Sequence, residues 1–212
     1  MKKKFLFFIL FGLITITTAS TAFADITETM PLTRSAMELR ITMRKLWEDH
    51  ITYTRNYIIS DLANLNDKSK IAERLLKNQV DIGDAIKPFY GDEAGTKLTS
   101  LLKEHIMIAT KVVGAAKKNQ TKALAKASEE WSKNGDDIAF FLSSANANWK
   151  KSDMQEMFTK HLSLTTDEVV SRLKKNWDKD IEAYDKGHEH MLIFSDELTI
   201  GIIKQYPDKF KE

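Results

Sequence analysis

MRKLWEDHITYTRNYIIS from Met43, LTSLLKEHIMIATKVVGA from Leu98 and MQEMFTKHLSLTTDEVVS from Met154 align without gaps. Their fixed points are His50, His105 and His161, spaced by 55 and 56 residues. Seven residues before each histidine stand Met43, Leu98 and Met154; four before, Leu46, Leu101 and Met157; three before, Trp47, Leu102 and Phe158. Tyr53, Ile108 and Leu164 follow at three residues, and Ile58, Val113 and Val169 at eight. Such spacing puts the apolar residues on one helical face and turns each histidine toward a core.

Working outward, each stretch runs into a polar break: Asn64–Asp67, Lys117–Thr121 and Lys174–Asp178. The Asn, Asp and Thr residues there are candidate caps for the helix that follows, since short polar side chains accept from its unpaired N–H groups. A second apolar-periodic segment comes next, through Ile71, Leu75, Asn78, Ile82 and Ile86, then Leu124, Trp131, Asn134, Ile138 and Leu142. The third runs through Ile181, Tyr184, His188, Met191, Ser195 and Leu198. Longer breaks separate the pairs at Pro88–Gly91 and Ser143–Trp149. The pattern predicts an all-α, six-helix bundle of three tandem antiparallel hairpins, at about 32–88, 92–143 and 150–205. The period differs from the ~34 and ~40–47 residues of common helical solenoids, which favours one closed bundle.

Upstream, Lys2–Lys4 precede the apolar run FLFFILFGLITI and then Ala22-Phe23-Ala24. A basic start, a short apolar stretch and a small-x-small ending read as a signal peptide, residues 1–24. The run is shorter than the ~20 residues that span a bilayer. The expectation is a soluble exported protein, periplasmic or extracellular, with one helical domain over 25–212 and no stable membrane insertion after cleavage. The whole chain of 212 residues has a formal charge of +2, but 25–212 holds 29 basic and 30 acidic residues. Net charge therefore gives no support to nucleic acid or acidic lipid as a partner. With no cysteine, disulfides, thiolate metal sites, Fe–S clusters and c-type haem are excluded.

Residues equally far from a hairpin turn face each other. His50 and Asn78 have their midpoint at 64, His105 and Asn134 at 119.5, and His161 and His188 at 174.5, all inside the breaks. The predicted result is a polar layer of His50, His105, His161, His188, Asn78 and Asn134 within an apolar core. Asp81, Asp137 and His190 stand one turn further on. Two readings compete. The layer binds a transition metal (Zn, Cu, Ni or Fe) or a small ligand, with His50, His105, His161 and His188 as ligands and Asp81, Asp137 and His190 as ligands or supports. Alternatively, it fixes helix register in a structural or protein-interaction module, as single core asparagines do in coiled coils.

No catalytic signature accompanies the layer. The Glu-x-x-His of di-iron bundles is absent, Asp185-Lys-Gly-His188 matches it only in part, and His188-Glu-His190 is not the zinc-protease pattern. The reading leans away from an enzyme. The runs LWEDHITYTRNYIIS, RLLKNQVDIGDAIKPFYG, LLKEHIMIA, EEWSKNGDDIAFFL and FTKHLSLTT resemble a group of small bacterial all-helical proteins of unestablished function, over most of residues 43–200. That resemblance implies a helical fold and no particular activity.

Overall fold

The computed structural model describes residue 31 and residues 33–211, so the signal peptide read at 1–24 lies outside the described residues. These form an all-α bundle: α1 (Arg34–Leu62), α2 (Lys68–Lys117), α3 (Thr121–Ala145), α4 (Lys151–Leu173) and α5 (Trp177–Gln205). A short 3₁₀ turn, Pro207–Phe210, closes the described chain. Five α-helices are described where six were expected, because the second and third are joined without a loop into α2. At the join Pro88 withholds an N–H from the helical ladder, and Gly91 takes φ 82° and ψ 170°, a backbone conformation open to glycine. The two arms of α2 then meet backbone to backbone. A Cβ on Gly83 would stand 2.6 Å from the Gly95 carbonyl oxygen, and one on Gly95 2.6 Å from that of Gly83. Neither position has room for a side chain.

The three polar breaks share one backbone device. Asn64, Asn119 and Lys175 all adopt the left-handed conformation, with φ of 57°, 54° and 56°, each 14 residues beyond His50, His105 or His161. The next N–H in each case reaches back over the helix end: Leu65 to Ser60 at 2.8 Å, Gln120 to Ala115 at 3.0 Å and Asn176 to Ser171 at 2.9 Å. That bond, six residues to one, is the Schellman closure of a helix C-terminus. The breaks thus end one helix more than they begin the next. Of their residues only Asn176 caps the following helix, accepting from the Lys179 N–H at 3.2 Å; Asp67 makes no such side-chain bond.

Side by side, α1 packs on α2 and α5, α3 on α2 and α4, and α4 on α5, which closes a ring. The largest apolar cluster fills the half of the bundle away from the three turns, with Met43, Trp47, Ile51, Ile82, Leu102, Phe158, Met191 and Phe194 among its members. Toward the turns the core divides in two. Ile108, Val112, Ala127 and Trp131 form one cluster, and Ile58, Val113 and Val169 the other.

Candidate functional site

His50 from α1, His105 from the second arm of α2 and His161 from α4 meet inside the bundle, none more than 3% exposed. The His50 and His161 ring centroids are 5.5 Å apart, and those of His105 and His161 5.9 Å, nearly parallel. The positions that align in sequence therefore also converge in space.

Their hydrogen bonds differ sharply. His105 Nδ1 lies 2.7 Å from Asn134 Oδ1, and the Trp131 indole N–H donates to His105 Nε2 at 3.1 Å. With an amide oxygen on one side and a donor on the other, the ring is the neutral tautomer protonated at Nδ1. Asn134 then donates its own amide to the Leu101 carbonyl at 3.2 Å. In the α1–α2 pair Asn78 likewise donates to the Leu46 carbonyl, at 2.9 Å, but its oxygen accepts from Gln79 Nε2 at 3.0 Å. His50 Nδ1, Gln79 Oε1 and the Trp47 indole nitrogen are left buried without a partner. In the α4–α5 pair His161 Nδ1 is also orphaned.

His190, not His188, takes the asparagine position of the third pair. Its Nε2 lies 2.8 Å from the Met157 carbonyl, and Met157 precedes His161 by four residues as Leu46 precedes His50 and Leu101 precedes His105. An imidazole donating there offers no oxygen to His161. His188 lies outside the layer, with Nε2 3.4 Å from Glu48 Oε1. The midpoint rule does not separate the two: with His161, His188 gives 174.5 and His190 gives 175.5, equally far from the left-handed Lys175. Asp81 pairs with Lys77, and Asp137 with Lys133 at 2.6 Å. Among the described residues no group of three or more histidine or acidic side chains is disposed to hold a metal ion. The obstacle is local: His105 has no nitrogen to spare, and His188, His190, Asp81 and Asp137 are engaged elsewhere.

Burial decides the charge of the layer. It holds His50 at about 3, helped by repulsion from His105 and opposed by nearby Gln79. It holds His105 at about 4, opposed by the Asn134 bond. His161 lies well below the ordinary range through burial and then repulsion from His50 and His105. All three rings are neutral near pH 7. About a helical turn further on stands a buried ionic cluster that the sequence did not announce. Arg55 Nη1 reaches Glu168 at 2.7 Å and Asp180 at 3.1 Å, while Arg172 Nη1 meets Asp180 at 2.6 Å. Burial raises Glu168 to about 7 even against the pull of Arg55.

Between the two smaller clusters lies a cavity of about 130 Å³. Ile58 from α1, Ile106 and Val113 from α2, Leu124 and Trp131 from α3 and Val169 from α4 are among its walls. Its polar lining is largely spent: Thr54 and Thr165 donate to the His50 and His161 carbonyls at 2.8 and 2.9 Å, and Thr166 donates to Leu162 at 2.8 Å. The exposed lining residues Ser128, Thr166 and Val170 border it on α3 and α4. No family model, curated protein or solved structure matches this chain. The site must be judged on its own chemistry. Sequence spacing marked the histidines and asparagines; it missed Trp131 and Gln79 as their partners, and it missed the cavity. Trp131 stands three residues before Asn134, where Leu75 and Gly187 stand before Asn78 and His190. That difference was open to notice.

Proposed function

We propose that the protein is an exported, soluble helical binding protein, built from one hairpin used three times, that holds a small apolar molecule. The carrying observation is the apolar cavity between Trp131, Ile58 and Val169. A void of this size with few free polar groups does not retain water well, and an engineered cavity of about 150 Å³ with similar walls binds benzene. The ligand class is accordingly a single aromatic ring or a short alkyl group, taken up for its apolar surface. Export rests on the basic and apolar start of the chain. In this reading the histidine layer fixes register, a role supported by the closed His105–Asn134–Trp131 arrangement, and transition metals are not its ligands.

Thermal melts test both halves. Benzene or indole at millimolar concentration is expected to raise the melting temperature, because a ligand bound only by the folded state stabilises it. Ala109→Phe, which fills the cavity from its α2 wall, is expected to abolish that rise. Zn, Cu, Ni and Fe salts are expected to leave the melt of untagged protein unchanged. No response to either apolar probe would defeat the cavity reading, and metal that copurifies and stabilises would restore the metal reading.

A further inference from the structure

The three left-handed turns lie at one end of the bundle. α1, the second arm of α2 and α4 carry the clustered histidines, and each turn follows its histidine by 14 residues, about 20 Å along a helix. A bond ties two of the turns directly, Lys117 Nζ to Asn64 Oδ1 at 2.8 Å. Charge is concentrated at this end in a way that net charge conceals. Residues 61–70, 114–126 and 172–180 hold ten lysines and arginines against four acids. Of those acids, Asp61 and Asp180 are buried and held by Lys68 and by Arg55 and Arg172. Asp67 accepts from the Ser60 hydroxyl at 2.7 Å, and the fourth acid, Asp178, is exposed. Lys118, Lys122, Lys174, Lys175 and Lys179 are exposed and form no ion pair among the described residues. Among them stand exposed apolar side chains: Leu65, Leu173 and Trp177, with Trp177 52% exposed.

We infer that this end of the bundle docks on an anionic phospholipid surface. Unpaired lysines supply attraction to lipid phosphate, and a tryptophan with leucines supplies shallow apolar insertion at the headgroup level. Exposed Trp177 and Leu173 separate this from a nucleic-acid surface, which would reward the lysines and leave the leucine in water. The contact is peripheral: among the described residues no helix is long and apolar enough to cross a membrane. The inference stands apart from the cavity, since the five lysines and the Leu65, Leu173 and Trp177 side chains that would meet the lipid are exposed and none of them lines it.

The mature protein carries its own reporter. Trp47, Trp131 and Trp149 are buried while Trp177 is exposed, so a blue shift of tryptophan emission on mixing with vesicles reads the docking end. Co-sedimentation with phosphatidylcholine vesicles containing a quarter phosphatidylglycerol is expected, with little binding to pure phosphatidylcholine and loss at high salt. The double variant Lys174→Glu, Lys175→Glu should weaken binding by more than about tenfold. Lys150→Glu with Lys151→Glu, a lysine pair at the other end of the same helix, should leave it unchanged. Trp177→Ala should weaken binding and remove the blue shift. Absence of binding to anionic vesicles, equal loss from both lysine pairs, or equally tight binding of double-stranded DNA by the unmodified protein would each overturn the inference. Circular dichroism of each variant separates lost docking from lost folding.

Discussion

The second and third helix pairs put the same residue at the same place and then treat it differently. His105 and His161 lie nearly parallel, 5.9 Å apart, yet His105 has a partner on each nitrogen and His161 Nδ1 has none. The difference is two side chains on the facing helices. Asn134 and Trp131 supply an acceptor and a donor, where His190 and Gly187 supply neither to His161. An internal repeat keeps a residue in register, but its hydrogen bonds depend on neighbours that the repeat does not specify. A buried polar group left alone costs about 1–3 kcal/mol, so the third pair, like the first with its orphaned His50 Nδ1, carries a penalty that the second avoids.

Acid is the bluntest way to break that contrast, because protonation attacks every histidine of the layer. Burial holds the folded values of His50 and His105 at about 3 and 4, below the ~6.5 of an unfolded histidine. Between those limits the unfolded chain binds more protons, so stability is present above about pH 6.5 and is lost as pH falls. Each histidine contributes a slope of about 1.4 kcal/mol per pH unit in that window. Glu168, raised to about 7, acts oppositely: its folded form holds a proton the unfolded form has released, so it favours the folded state on acidification from pH 7 toward 4.5. Three slopes outweigh one. Chemical denaturation from pH 7 down to pH 4.5 should show a steep fall in unfolding free energy. A flat profile would mean that water or a bound group already satisfies the layer's charged form.

A narrower break removes what distinguishes the second pair. Asn134→Leu takes away the acceptor of His105 Nδ1–H, leaving that buried donor unpaired, and removes the second of the bonds to the Leu101 carbonyl, which keeps its bond within α2. The expected loss is about 2–4 kcal/mol by urea denaturation at pH 7. Within error of zero, it would show that water reaches His105 and that its closed arrangement contributes nothing.

These contrasts also mark how far the chain's pattern could be read. The all-helical class and the inward face of His50, His105 and His161 follow from the 3.6-residue period and the 55- and 56-residue spacing, both local signals repeated three times. The joined α2 did not follow. Pro88 and Gly91 predict a break, but whether a break needs a loop depends on how closely two arms can approach, which Gly83 and Gly95 settle through space. The choice between His188 and His190 did not follow either, since their midpoints with His161 lie equally far from the turn at Lys175. A two-residue difference on a helix turns a side chain by about 200°, enough to take His188 out of the layer to a half-buried place beside Glu48. The cavity was beyond reach, since it is defined by what four helices fail to fill. Net charge was legible but carries no information on distribution: ten basic residues at one end are balanced by acids elsewhere.

The smallest expected effect is the most discriminating. His161→Leu exchanges a buried imidazole for an apolar side chain at a position with an unpartnered Nδ1, among Phe158, Leu164 and neutral histidine rings. Removing an unsatisfied buried group recovers its desolvation cost, while the altered shape costs some packing. The two nearly cancel, and the change at pH 7 should stay within about 1 kcal/mol, of either sign. The pH profile gives the second reading: with one histidine gone, the slope below pH 6.5 should flatten by about 1.4 kcal/mol per unit. His105→Leu strands Asn134 and Trp131 together and cannot be so mild. Should the two leucine variants cost the same, the partners seen around His105 would carry no energy and the three histidines would be equivalent. If His161→Leu were the costlier of the two, Nδ1 of His161 must have a partner in solution, and a small molecule or ion held at the layer becomes the leading explanation. A mild His161→Leu beside a costly His105→Leu instead assigns the second helix pair the task of setting the register of all three.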